Sequence, residues 1–399
     1  MHGTFLQYAK SLFIGTSFVL LLTFTLAACG GSSNSGGATP TTQATTPGGG
    51  TTATTSPVIG LGPRPCPDAV KAPAHWDALI PTQNGVTKVE NVTCGNLVGN
   101  ATLQALVTVH YQGTGQNLDV YVYSDITGPN PTQLFKLQNL YKGDAKISGY
   151  NTVLTAEVDQ NSSINAGKSN ADLTRDLFRE FKWSDGAGTL VPVSFPGMYP
   201  DLTRYQAEND QAQVNQGQDP WKLNAAQVAN HMAADPHLLN WPSNAPTTVV
   251  SGGGSSDSDA VVTVKNPKPA GNTIKVSLQR LEGNTNGGIW EVVSVTADGM
   301  SITSPQSRDR ITSPVKVTGT GNAFEAVIGT VAILDHLYTD IGHASAGGAT
   351  GNGNTTFSTS VPYNSTFKGG SQEGIVVLFA ANNAGSGPAA AVMVKELLS

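Results

Sequence analysis

Apolar side chains in this sequence come in short runs, and glycine, proline, asparagine or threonine interrupts nearly all of them. Glycine occurs 45 times and proline 23 times in 399 residues. In a helix interior, glycine costs about 1 kcal/mol and proline about 3 kcal/mol relative to alanine. A long all-helical protein is therefore excluded. The chain must be built mainly from short strands, with a few short helices. Charge supplies a second exclusion. Lys and Arg total 22 against 28 Asp and Glu, for a formal net charge of −6. No Lys/Arg cluster exists to neutralise a row of phosphates, so nucleic acid is not an expected partner.

The N-terminus reads as an address. Residues 11–63 carry no charged side chain. The apolar run Leu12 to Leu26 is shorter than the roughly 20 residues a spanning helix needs. It fits the hydrophobic core of a secretory signal over residues 1–28. The run ends Leu26-Ala27-Ala28-Cys29, which resembles the bacterial lipobox. That resemblance implies cleavage before Cys29, acylation of Cys29 and attachment to a lipid bilayer through it. Two acyl chains make a stable anchor where one is marginal. Residues 30–57 are Gly, Ser, Thr, Ala or Pro except at Asn34 and Gln43. Such a segment has little to bury, so residues 29–62 are expected to form a flexible tether with a typical reach of about 30 Å.

With Cys29 assigned to lipid, Cys66 and Cys94 remain. In an exported protein they are expected to pair as a disulfide that pins the Pro-rich stretch Pro63 to Pro67 onto the first folded region. Such a loop contributes about 3–4 kcal/mol by the chain-entropy argument. Zinc needs four ligands close together, and only His75 and His110 lie near these cysteines in the sequence.

Three folded regions are expected. Residues 63–199 read as mostly β with one helix. Strands are expected at Leu103 to Tyr111, Leu118 to Tyr123, Thr152 to Val158 and Leu190 to Phe195, with Gly113 to Gln116 as a hairpin connection. The helix is expected over Asn170 to Trp183, because Leu173, Leu177 and Phe181 recur at every fourth position. Its outer face would carry Asp172, Arg175, Asp176, Arg179 and Glu180 as a solvated, salt-bridged surface. Residues 200–300 read as α+β. One helix is capped by Asp201 or Thr203 and stopped by Gly217, and a second is capped by Asn224 and ended by Pro236. After a Ser/Gly spacer over 251–256 come strands at Ala260 to Val264, Ile274 to Leu281 and Gly288 to Val295. Helices laid across one sheet face have analogies in cystatin-like and NTF2-like folds. The two regions can also be read as one domain, since no linker composition separates them. Residues 301–399 read as a β-sandwich of short strands, with Phe324 and Ala326 buried on either side of Glu325.

Within that last region, Ile302-Thr303-Ser304-Pro305, Ile311-Thr312-Ser313-Pro314-Val315, Val317-Thr318-Gly319 and Phe324-Glu325-Ala326 resemble the opening of the Gmad2 domain. The stretch Gly374 to Phe379 resembles its penultimate strand. Gmad2 is the immunoglobulin-like domain of bacterial spore-germination and sporulation proteins. The resemblance implies an extracellular module in a lipoprotein, with no defined activity of its own. The turn at Ala381-Asn382-Asn383-Ala384-Gly385 departs from the family pattern.

No catalytic, cofactor-binding or metal-binding set emerges. There is no phosphate loop, no HExxH and no Gly-x-Ser-x-Gly. Arg204, Tyr205, Glu208, Trp221 and Trp241 are the candidate recognition patch, since Tyr, Trp and Arg are enriched in recognition surfaces; the tryptophans read equally well as core. The expected role is a membrane-anchored, extracytoplasmic lipoprotein that binds or scaffolds an envelope protein or glycan without catalysis. A wall-active hydrolase using carboxylates of the middle region, or a small-ligand-binding lipoprotein, are the alternatives.

Overall fold

The first described stretch is tied down at once. Arg64 N–H donates to the Cys94 carbonyl at 2.7 Å, and a disulfide joins Cys66 to Cys94 with Cα atoms 5.1 Å apart. The computed structural model describes residues 59–80, 85–268, 272–283, 287–381 and 387–399. The expected signal, Cys29, most of the tether and the turn at residues 382–385 lie outside them. Two short helices follow the disulfide, α1 (Asp68–Lys71) and α2 (Pro73–Asp77), each opened by a proline. They bury Val70 and Trp76, and the Trp76 indole N–H donates to the Val70 carbonyl at 2.8 Å. Both are too short to show a helical period in the sequence.

Four strands then form an antiparallel meander: β1 (Thr87–Gly95), β2 (Gln104–Tyr111), β3 (Leu118–Ser124) and β4 (Thr132–Leu140). The turn between β2 and β3 lies at the expected Gly113 to Gln116. Both faces of this sheet are covered. Val107, Val109 and Tyr123 pack with Trp76 on one side, and Leu106, Val120 and Val122 pack with Val153 and Phe181 on the other. Cover on both faces explains why β2 is buried continuously from Gln104 to Val109 instead of alternating between buried and exposed positions.

A second four-stranded sheet follows: β5 (Asp144–Ile147), β6 (Val153–Glu157), β7 (Leu177–Ser184) and β8 (Thr189–Val193). Here the expected helix over Asn170 to Trp183 is overturned. Leu177 to Ser184 is strand β7, paired with β6 from Leu177↔Glu157 to Phe181↔Val153. A spacing of four places residues on one face of a strand as well as of a helix, so Leu177 and Phe181 satisfied both periods. Tertiary pairing and the aromatic residues Phe178, Phe181 and Trp183 favour the strand. The charged residues are corrected with it. Asp176, Arg179 and Glu180 are buried, whereas a solvated helix face would have exposed them. The Ser169 hydroxyl donates to Asp172 at 2.6 Å, but in a turn.

Both expected middle helices are present. In α3 (Arg204–Val214) the Thr203 hydroxyl caps the Gln206 N–H, and in α4 (Ala225–Ala234) the Asn224 side chain caps the Gln227 N–H. The apolar face of α4, with Val228, Ala229 and Met232, packs on β9 (Thr247–Gly252), β10 (Asp259–Lys265), β11 (Thr273–Gln279) and β12 (Glu291–Ala297). The expected spacer over 251–256 is partly strand. Ser251 and Gly252 pair with β10, because an edge strand needs a partner on one side only.

The last region adds β13 (Ser301–Ser304), β14 (Arg310–Ile311), β15 (Val315–Ala323), β16 (Val327–Leu334), β17 (Asp340–Gly347), β18 (Gly353–Val361), β19 (Gln372–Ala380) and β20 (Ala391–Leu398). Strands β13, β15 and β18 form a three-stranded sheet. The others extend the middle sheet into a nine-stranded one, ordered β17-β16-β19-β20-β12-β11-β10-β9 with β14 beside β20. Val317 and Phe357 of the small sheet share one core with Val331, Ile333 and Val376 of the large one. Phe324 and Ala326 are not buried as expected. Glu325 and Ala326 adopt positive φ values of 48° and 64° in a hairpin turn closed by Phe324 and Val327. Phe324 is 59% exposed. The apolar run Ala323 to Leu334 had masked this turn.

Residues 194–204 cross between these layers. Glu373 on β19 accepts from the Phe195 N–H and the Ser194 hydroxyl, each at 2.7 Å. Lys395 on β20 donates to the Leu202 carbonyl at 2.6 Å and lies 3.5 Å from Glu373. Met198 and Tyr199 exchange backbone hydrogen bonds with Val292 of β12. The described residues accordingly fall within one compact unit. Breaking a buried ion pair by removing one partner typically costs about 3–5 kcal/mol, and this is the loss expected in urea unfolding of Lys395→Met. The Lys395→Met/Glu373→Gln pair should be less unstable than the sum of its singles, with a coupling of about 0.5–3 kcal/mol.

Candidate functional site

The structure does not gather the five candidate recognition residues on one open surface. Arg204, Tyr205 and Glu208 lie together on α3, but each is engaged with the second sheet. Arg204 pairs with Glu180 at 2.9 Å and with Glu282, and its guanidinium lies 4.2 Å from the Tyr150 ring centroid. The Tyr205 hydroxyl donates to Asp144 at 2.6 Å, and its ring stacks on Phe178 at 4.9 Å. Glu208 accepts from the Gly149 N–H at 2.8 Å and pairs with Lys146 at 2.9 Å. Trp221 stacks on His231 of α4 at 4.3 Å. Trp241 is buried, and its indole N–H donates to the Pro388 carbonyl at 3.0 Å. The sequence could identify these residue types but not their partners, which are 10 to 147 positions away.

The middle region does concentrate carboxylates, and it closes them off from solvent. Asp201 and Glu291 are both buried, and the Asp201 N–H lies 3.4 Å from a Glu291 oxygen. Burial pushes Asp201 up to about 6, against the pull of Lys222. Burial and the facing Asp201 carboxylate hold Glu291 well above the usual carboxylate range. Both shifts favour the neutral form of these carboxyl groups. Glu282 is pushed up to about 7 by burial, against the attraction of Arg204. It lines a cleft of about 480 Å³ together with Glu208. Arg204 neutralises the first of these carboxylates and Lys146 the second. Among the described residues, no group of three or more His, Cys, Asp and Glu side chains is placed to hold a metal ion.

A larger open site lies where α4 and the last region meet. A groove of about 810 Å³ is lined by Leu238 after α4, by Val327 and Leu334 of β16, by Tyr338, by Phe379 of β19 and by Pro388. Val327 is 43% exposed, so the groove opens to solvent. Thr330, Asp340 and His237 supply polar points on its walls. The size and the mix of apolar walls with a few polar groups are those of a ligand-binding site. Two walls are held from behind. The Tyr338 hydroxyl donates to the Met198 carbonyl at 2.8 Å, and Trp241 holds Pro388. Trp241 thus shapes the groove without facing a ligand as a surface residue. Sequence reading missed the groove because its residues come from segments far apart in the chain. The signal available was Phe379, which continues the apolar run of β19 to its outer end.

Close by, the second sheet docks on the last region. His336 sits between Gln372 (2.8 Å) and Asp176 (3.3 Å) and is buried. Burial opposes its charged form, but the hydrogen bond to Asp176 and the attraction of Asp335 and Asp176 outweigh it, and its pKa is raised. A raised native pKa adds stability that is fully present below the unfolded value of about 6.5 and fades as pH rises through the native value. The melting-temperature deficit of His336→Gln should therefore be largest well below pH 6.5 and shrink on the alkaline side. A deficit independent of pH would mean that folding leaves the His336 pKa unshifted, and a deficit that grows as pH rises would mean that His336 is held neutral in the native protein.

Residues 300–385 match the Gmad2 family, described as the immunoglobulin-like domain of bacterial spore germination. The match covers all of β13 to β19 and most of the last region's contribution to the groove. No curated protein matched the chain.

Proposed function

We propose that this chain is an extracytoplasmic binding or scaffolding protein of the bacterial envelope, held at the membrane by a lipid on Cys29. The carrying observation is the groove of about 810 Å³, built on the Gmad2-like strands and walled on one side by Leu238. Its open apolar floor suits the apolar segment of a protein partner, laid against β16 and β19 and oriented by Thr330 and Asp340. The cystine Cys66–Cys94 fits an oxidising compartment outside the cytoplasm. The Leu26-Ala27-Ala28-Cys29 sequence supports the anchor, and the immunoglobulin-like module is a recurrent binding scaffold with no catalytic requirement of its own.

Two measurements test this reading. A photo-crosslinking amino acid in place of Val327, in intact cells, should capture one envelope protein reproducibly. Val327→Glu should abolish co-isolation of that protein while leaving the melting temperature within about 2 °C, since surface substitutions usually stay within about 0.5 kcal/mol. Crosslinks to a small apolar molecule alone would convert the reading to ligand carriage. For the anchor, Cys29→Ala should move the protein from the membrane fraction to the soluble one. An unchanged distribution would remove the lipid.

A further inference from the structure

A second, polar groove opens beside the first sheet, on residues that the apolar groove does not use. It holds about 540 Å³, and its walls include Glu90, His110, Gln116, Lys142, Asp144 and Arg175. Strand geometry alone would not build it. Successive side chains on a strand point to opposite faces, yet the neighbours Glu90 and Asn91 both line the groove. A bulge in β1 makes this possible. Val89 pairs with Val109 and Asn91 with Thr108, so Glu90 is the extra residue. Bulges of this kind re-aim side chains, often beside functional sites.

The groove is held in shape, and part of its polar lining is left open. Arg175 donates to the Lys142 carbonyl at 2.5 Å and to the Gly143 carbonyl at 3.1 Å. Lys142 in turn donates to the Asn170 carbonyl. Asp144 is fixed by the Tyr205 hydroxyl. Among the described residues, the side chains of Glu90, His110 and Gln116 have no hydrogen-bond partner. An adjoining chamber of about 480 Å³ shares Gln116, Lys142 and Arg175 with the first and adds Phe178 and Tyr205. Phe178 stacks on the Tyr205 ring at 4.9 Å, and Lys146 lies over the same ring at 4.5 Å, so the aromatic wall of this chamber is Phe178, braced by Tyr205.

Charge selects the ligand class. Glu90 and Asp144 cancel Lys142 and Arg175, so a phosphate or other anion gains no net attraction. The larger chamber is mainly polar, so a purely apolar ligand finds little there to bury against. A chain of hydroxyl groups can donate to Glu90, accept from Gln116 and the cations, and lay its C–H faces on the aromatic wall. We infer that this two-chamber groove binds a neutral oligosaccharide. The site stands on its own geometry; only the choice of an amino-sugar probe rests on the envelope reading.

The test is calorimetric titration of the full chain in detergent with three probes: triacetylchitotriose, maltotriose and inorganic phosphate. Saturable binding of at least one trisaccharide, with none of phosphate, is expected. Loss of a hydrogen bond to a charged group costs about tenfold in affinity, and this is the weakening expected of Glu90→Ala. His110→Ala should weaken binding in the same direction. Neither side chain supports the fold through a hydrogen bond, so both variants should remain folded. Val327→Glu, in the other groove, should leave trisaccharide affinity unchanged, which separates failure here from failure of the envelope reading. Maltotriose binding without chitotriose binding still supports a saccharide site. Absence of saturation with both trisaccharides, preference for phosphate, or unchanged affinity in Glu90→Ala and His110→Ala would overturn the inference.

Discussion

The buried Lys395–Glu373 clasp on residues 194–204 is the constraint on which the rest of the molecule depends. Lys395 has no exposed surface. Taking its ammonium out of water is costly unless it is paired and hydrogen-bonded. Glu373 supplies the opposite charge and the Leu202 carbonyl an acceptor, and Glu373 also satisfies the Phe195 N–H. The last strand pair of the immunoglobulin-like region therefore grips the segment that joins the two preceding regions. Gly197 in that segment must be glycine for a steric reason. A Cβ there would stand 2.5 Å from the Phe195 ring and 2.9 Å from the Asp201 carbonyl.

This clasp turns three sequence regions into one platform. Pairing of Val295 with Met393 continues the middle sheet into the last region. His336 with Asp176, and Thr366 with Asp159, fasten the second sheet to the same body. The two grooves are opposites in chemistry. One is open and apolar, suited to burial of hydrophobic area. The other is charge-balanced and polar, suited to a ligand that exchanges hydrogen bonds. Two such surfaces on one body are what the proposed binding role requires.

Much of the local structure was legible. Thr203 and Asn224 announced two helix starts because a side-chain oxygen at that position meets an unpaired helix N–H. Gly113 to Gln116 announced a hairpin, and the cysteine pair announced a disulfide. The helix over 170–183 was misread because a fourfold spacing is common to both periods and a strand's partner lies outside the local window. The turn at Glu325 and Ala326 was misread because neither is a usual residue at positive φ. The candidate patch was legible as residue types alone: Arg204, Tyr205 and Trp241 proved to be joints, satisfied by Glu180, Asp144 and Pro388.

The sequence by itself determined the strand-rich class, the short capped helices, the cysteine pairing and the likeness of residues 300–385 to one family. These follow from backbone propensity, capping chemistry and a short distinctive motif, all of which act over a few residues. Only the tertiary structure decided that one sheet runs through two regions, that charged residues of β7, β12, β19 and β20 lie inside, and where two grooves open. Burial of a charge depends on a partner far along the chain, and a cavity depends on the space that several segments leave unfilled. Neither quantity exists until the chain has folded.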